Sequence, residues 1–385
     1  MRIRAGLVAW ALALVATTGG CQSVRDARAV DRPQAASCVD RVLSTMSLAQ
    51  RIGQLFDLGL SGDRLGAAEQ RAIRTDHVGS VWYVEKSSAG VATIRRVSQS
   101  VQDLATIPNT AGVRFLVAAN QEGGLIQSLT GPGFSHVPSA RAQGHLSAGT
   151  LRADALRWGR QLRAAGVQFN FAPVMDVVPP GRDAQNQPIG VLHRGYGHSP
   201  GPVAVHGIAF QQGMRAAGVA TSAKHFPGLG RVVGNTDVTA GVVDRTTAAD
   251  DPYLQTFRRS VAAGVPFVMV ALATYTRIDR RHLAVFSPVV IRHLLRGALQ
   301  FDGVVISDDL GDARAVAAIP PARRAIDFLL AGGDMIISKS VAPAHAMARA
   351  VLARAGADPA FRRIIDASAR RILQAKLAAG LLPCG

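Results

Sequence analysis

The sequence predicts an α/β fold: a single-domain (β/α)8 barrel of the TIM type. Three observations lead there. Eight short apolar runs recur along the chain, stretches of helical period separate them, and polar residues collect where several of the runs end.

The runs occupy residues 55–60, 78–84, 114–119, 168–175, 219–224, 265–271, 303–307 and 334–338. Between them, LRADALRWGRQLRAAG (151–166) and PVAVHGIAFQQGMRAAG (202–218) read as helices, each closed by a glycine suited to a helix C-terminus. Barrel enzymes place their chemistry where strands end and loops begin. Here Asn120, Gln121 and Glu122 follow the third run, Asp176 the fourth, Lys224 and His225 the fifth, and Asp308 and Asp309 the seventh. Any one of these alone reads as a cap or turn residue. Four groups on one edge point to a site.

A chain of 385 residues is long enough for two domains, yet an α/β barrel of this size commonly forms one. With 48% hydrophobic residues, 39 glycines and no low-complexity tract it can bury a large core. The N-terminus is distinct from the rest. Two arginines in residues 1–4 precede an apolar run at 5–16 and then Thr17, Thr18, Gly19, Gly20 and Cys21. This predicts a signal peptide over 1–20, too short to span a membrane, and lipidation of Cys21. Polar, aperiodic residues 21–37 then serve as a tether, and 38–385 form the barrel domain, at the outer face of the membrane or secreted. Export permits a disulfide, and Cys38 is expected to pair with Cys384.

The net charge is +17, but only four of the 43 basic residues are lysines and the arginines are spread along the chain. Nucleic-acid binders concentrate charge on one element, so this class is set aside. Attraction to an anionic envelope is compatible with the balance, without specificity.

In FDGVVISDDLGDA (301–313) an apolar strand delivers two adjacent aspartates to its C-terminal end, and alternation turns only one toward the barrel mouth. Such a carboxylate serves as a nucleophile toward a sugar, a metal ligand or a helix cap. No His, Cys and carboxylate grouping has metal-ligand spacing, so neither metal nor cofactor is expected. Lys224 and His225 suit hydrogen bonds to neutral hydroxyls. The alternative is a lysine paired with a barrel carboxylate beside a satisfied core histidine.

The segments NQEGG (120–124), NFAPVMDV (170–177), HRGYG (193–197), KHFPGLG (224–230), YTRID (275–279) and GVVISDDL (303–310) together resemble the bacterial β-N-acetylglucosaminidases of glycoside hydrolase family 3, including actinobacterial lipoproteins. The likeness extends from about residue 45 to 382. It implies that Asp308 is the nucleophile of a retaining hydrolase acting on terminal β-linked N-acetylglucosamine, with muropeptides or related glycans as substrates. It further implies that Asn120, Arg194, Lys224 and His225 hold the sugar and that Asp176 supports them. The chain is expected to be a monomer. In this branch the acid/base is a histidine within an Asp-Ser-His triplet on the loop after the Lys-His pair.

This sequence departs from that pattern. Thirteen residues after Lys224 stands Asp237, and the triplet reads Asn235, Thr236, Asp237. Asn120 stands where the family has Asp, and Leu125 and Ser128 replace two arginines. Asp237 becomes the candidate general acid/base, a role carboxyl groups commonly fill in glycosidases. The alternatives are a phosphorylase, disfavoured because a carboxylate at 237 repels phosphate, and a catalytically impaired binder of amino-sugar glycans.

Overall fold

The computed structural model describes residues 32–384. The segment expected to be a signal peptide, 1–20, and Cys21 lie outside the described residues. The first helix, Arg32–Thr45, begins inside the segment read as a tether and carries Cys38.

Eight parallel strands close a barrel: β1 (Phe56–Leu60), β2 (Ser80–Tyr83), β3 (Leu116–Ala119), β4 (Phe169–Asn170), β5 (Ala220–Phe226), β6 (Phe267–Val270), β7 (Val304–Asp309) and β8 (Met335–Ser338). Each pairs in parallel with its sequence neighbours, and β8 closes on β1. Strands covered by helices on one side and filled by side chains on the other are buried on both faces. That is why they read as continuous apolar runs rather than alternating ones. β1, β2, β3, β6 and β8 are buried at every position.

The fourth run is shorter as a strand than 168–175. Phe169 and Asn170 pair with β3 and β5, after which β5 is held by the N–H of Ser222 donating to the Ala172 carbonyl and by an isolated bridge between Val174 and Lys224. Pro173 interrupts the ladder because it has no N–H to donate. β5, by contrast, runs on through the Lys-His pair to Phe226.

The two helices read from the sequence are Ala148–Ala164 and Pro200–Ala216. Ser147 caps the first by accepting from the N–H of Thr150, and proline opens the second. Inside the barrel Phe169 stacks on Phe267 with ring centroids 4.1 Å apart, and Phe171 packs edge-on against Trp82 at 5.6 Å. This aromatic layer fills the barrel beneath its C-terminal mouth. At the opposite end of the sequence, helix Pro359–Ala378 packs against the first helix, and Cys38 is bonded to Cys384. Among the described residues no helix is long and apolar enough to cross a membrane.

Candidate active site

A cavity of about 320 Å³ opens at the mouth of the barrel, on the C-terminal edge of the strands. Its floor is apolar, made by Trp82, Phe171, Met269 and Ile337. Its walls are polar and include six residues singled out from the sequence: Asn120, Arg194, Lys224, His225, Asp237 and Asp308. An apolar floor beneath convergent polar walls suits a sugar ring, which offers a C–H face and a hydroxyl rim.

Behind the polar wall, and joining two of its residues, is Glu122, to which the sequence assigns no role. Its carboxylate is buried and receives Arg194 in a two-pronged pair, Nε to Oε2 and Nη2 to Oε1, both at 2.8 Å. Lys224 Nζ lies 2.6 Å from Oε1 and donates also to Asn120 Oδ1 at 2.9 Å. Burial alone raises the Glu122 carboxyl, but Arg194 and Lys224 outweigh it and bring it down to about 2. Lys224 is held below the ordinary lysine value, chiefly by burial and also by Arg194, with Glu122 opposing. The arrangement is one anion shared by two cations, so one net positive charge faces the cavity.

Local structure explains how three distant segments meet here. Gly123 has φ +112°, and a Cβ there would sit 2.1 Å from the carbonyl oxygen of Pro138. Only glycine allows the turn that seats Glu122. Asn170, at the end of β4, donates to the carbonyl of Gln121 and accepts from its N–H, which fixes the NQEGG segment against the barrel. Asn186 ties the loop bearing Arg194 to the loop after β5, donating to the carbonyls of Leu229 and Val232 while accepting from Ile189 and Gly190.

His225 follows Lys224 across a cis peptide, and both side chains line the cavity. Its Nδ1 lies 2.8 Å from Asp176 Oδ2, and Arg194 Nη2 lies 3.3 Å from Nε2. A guanidinium can only donate, so Nε2 accepts and the proton sits on Nδ1. Asp176 is fully buried beneath the cavity. It accepts in addition from the N–H groups of His225 and Leu229. Gly230 makes that approach possible, since a Cβ there would meet the carbonyl oxygen of Val177 at 1.9 Å. Both sequence alternatives for the pair hold at once: Lys224 is paired with a carboxylate, His225 is satisfied by one, and both face the cavity.

The two aspartates of β7 divide their tasks. Asp309 is buried and its oxygens accept from the N–H groups of Gly311, Asp312 and Lys339, at 2.9, 3.1 and 3.0 Å. Burial pushes its carboxyl up; Lys339 and the three N–H groups oppose this without cancelling it. Asp308 accepts one hydrogen bond among the described residues, from the N–H of Asp309 at 2.9 Å. Alternation does not keep Asp309 from the cavity, since both aspartates line it, but Asp308 is the less hydrogen-bonded of the two.

Asp237 stands on the loop after β5, its side chain 45% exposed at the cavity rim. Asn235 does not partner its carboxylate. The Asn235 side chain accepts from the N–H of Asp237 and shapes the turn. The charged neighbour is Lys339, just after β8, whose Nζ lies 3.6 Å from Asp237 Oδ1 and 3.7 Å from Asp309 Oδ2. Burial works against the Lys339 ammonium, but Asp237, Asp309 and Asp308 outweigh it and raise its pKa. Lys339 is a second residue absent from the sequence reading, although it occupies the kind of strand-end position that revealed the others. With Lys86 and Lys224 it places three of the chain's four lysines at this cavity. Among the described residues no group of three or more His, Cys, Asp or Glu is placed to hold a metal ion.

Fold and site define a barrel enzyme whose mouth carries a lightly hydrogen-bonded carboxylate, Asp308, and a second at its rim, Asp237, with a fixed set of hydrogen-bonding groups. The chain matches the glycosyl hydrolase family 3 N-terminal domain over residues 47–375. It belongs to this family and is a glycoside hydrolase. It is similar to a β-N-acetylhexosaminidase from Beutenbergia cavernae DSM 12333, with 48% identity and a TM-score of 0.84 over 86% of this chain and 98% of the other. It also resembles a family 3 β-N-acetylglucosaminidase from Paenibacillus sp. str. FPU-7, with 31% identity and a TM-score of 0.79 over 87% of this chain and 63% of that one. A β-hexosaminidase from Methylococcus capsulatus is 32% identical over 327 residues, which is 82% of this chain and 91% of its own length.

Proposed function

We propose that the protein is a retaining exo-β-N-acetylglucosaminidase that hydrolyses terminal β-linked N-acetylglucosamine. The observation that carries the reading is Asp308, whose carboxylate has one backbone hydrogen bond and faces the cavity that Arg194, Lys224 and His225 also line. One Asp308 oxygen attacks the anomeric carbon as the glycosidic bond breaks, and the leaving oxygen takes a proton from Asp237. Water then attacks the glycosyl ester, giving its proton to Asp237 and releasing the Asp308 carboxylate. Two displacements at one carbon leave its configuration unchanged.

Counting donors supports the substrate-holding role. Glu122 and Asn120 take two of the three Lys224 N–H groups, and Glu122, His225 and the Pro188 carbonyl take four of the five on Arg194. One donor on each is left for sugar oxygens. Asn120 uses its oxygen on Lys224, so its amide N–H groups are what it offers, where an aspartate would accept.

Hydrolysis of a chromogenic β-N-acetylglucosaminide by wild type and by Asp237→Ala tests the reading. Removing the acid/base is expected to cost on the order of 10²–10⁴-fold in rate. Azide, which needs no deprotonation, is expected to restore turnover with the β-glycosyl azide as product. No wild-type turnover, together with retained binding of N-acetylglucosamine, would sink the hydrolase in favour of a binding protein.

The reading includes cell-wall fragments as the source of the sugar and a monomer anchored at the outer face of the membrane through Cys21. What supports the anchor is the apolar run at 5–16 followed by small residues before Cys21. Cys21→Ala is then expected to move the protein from the membrane fraction to the medium. Unchanged membrane retention of that variant would contradict the anchor.

A further inference from the structure

We infer that Lys339 is the positioning residue of the acid/base loop: its ammonium bridges Asp237 to the β7 segment that bears Asp308, and so fixes the loop carboxylate over the leaving-group oxygen. The inference rests on the hydrolase reading above and adds a residue to it.

Three observations place Lys339 in this role. Its backbone N–H donates to Asp309 Oδ1 at 3.0 Å, so its own position is tied to β7 rather than to a free loop. Its Nζ lies nearly midway between Asp309 Oδ2 and Asp237 Oδ1, at 3.7 and 3.6 Å, and the side chain is two-thirds covered. The loop itself is laid along the chain that follows β7. The carbonyl of Asp237 accepts from the N–H of Arg314 at 2.9 Å, and that of Thr236 from Ala315 at 3.1 Å. The backbone is thus fixed by two hydrogen bonds, whereas the Asp237 carboxylate has Lys339 as its only ion-pair partner among the described residues.

Charge makes the same point. Asp237, Asp308 and Asp309 all bear on Lys339. Without a cation among them, three carboxylates would face one another uncompensated and the side chain of the exposed one, Asp237, would turn outward to solvent. Asn235, where the family pattern has an acidic support, is spent on the turn. Lys339 therefore supplies from β8 an orientation that the loop does not supply to itself.

The test separates positioning from a general effect on the fold or on the nucleophile. A dinitrophenyl aglycone leaves without protonation, whereas the sugar aglycone of chitobiose needs a correctly placed acid. Misplacing that acid is expected to cost about 10–100-fold in kcat/KM on chitobiose. For Lys339→Met the loss on chitobiose should exceed the loss on the dinitrophenyl glycoside by at least about tenfold. Lys339→Arg, which keeps the charge but not its compact shape, should recover part of the difference. Equal losses on both substrates, or no loss on either, would overturn the inference. Asp237→Ala is the reference. If it shows the leaving-group difference and Lys339→Met does not, the positioning role fails alone. If neither shows it, the acid/base assignment of Asp237 fails and the positioning role with it.

Discussion

Asp308→Ala is expected to lower kcat by about 10⁴-fold or more on any β-N-acetylglucosaminide, because it removes the carboxylate that forms the glycosyl ester. Asp309 lies next in sequence but cannot take over. Its oxygens are committed to the N–H groups of Gly311, Asp312 and Lys339, and presenting one of them to a substrate would strip those donors of their acceptor. The two azide experiments also differ in stereochemistry. In Asp308→Ala an azide ion occupying the vacated space attacks the substrate once, giving the α-glycosyl azide. In Asp237→Ala azide attacks the glycosyl ester and gives the β product. Proton NMR of the two azides reads the roles directly, and the same anomer from both variants would contradict the division of labour.

Glu122→Gln carries the second large effect, on stability as well as on turnover. The substitution leaves Arg194 and Lys224 buried against a neutral amide, and breaking a buried ionic group by removing one member costs about 3–5 kcal/mol. Arg194 and Lys224 then drift from the sugar site, so KM rises with the loss of stability. The acid side of the stability curve gives an independent readout. Glu122 binds its proton at about 2 in the folded protein against an ordinary value of 4.5. Its contribution is therefore complete above about 4.5 and is lost as pH falls toward 2, since the unfolded chain takes the proton first. Denaturant titrations between pH 7 and pH 3 should show wild type losing part of this increment and Glu122→Gln lacking it from the start. Equal stability of the two at pH 7 would refute the central place given to Glu122.

The barrel was legible because its physics is repetitive. Strands buried on both faces must be apolar throughout, and each of the eight observed strands falls on one of the eight runs. The fourth was over-read for a local reason: Phe171, Val174 and Met175 are as apolar as strand residues, yet Pro173 cannot donate to a ladder. The site was legible where strand ends expose it. Asn120, Lys224, His225 and Asp308 follow the simple rule that chemistry gathers at the C-terminal edge, and the structure brings them to one cavity with Arg194 and Asp237. Arg194 lies far from any strand end in sequence, and only its place in HRGYG marked it.

Glu122 and Lys339 were harder to see. Nothing in NQEGG says that the glutamate is buried, and its importance emerges only when the turn after β3, the loop at 193–197 and the end of β5 converge on it. Lys339 sits in a Ser-Lys-Ser segment that reads as a loop after β8, and its partners are 30 and 102 residues away in sequence. The usable signal was compositional. In a chain that uses arginine for nearly every cation, a lysine at a strand end marks a place where a compact charge is required.

The central claim is that Asp308 forms a covalent bond to the anomeric carbon. Incubation with a fluorinated N-acetylglucosaminyl donor that reacts quickly and hydrolyses slowly, followed by mass spectrometry of the intact protein and its peptides, tests it most directly. The account predicts one added glycosyl group per chain, carried on Asp308 within GVVISDDL and absent from Asp308→Ala. Label on Asp309 or Asp237, or turnover of the substrate with no adduct at all, would contradict it.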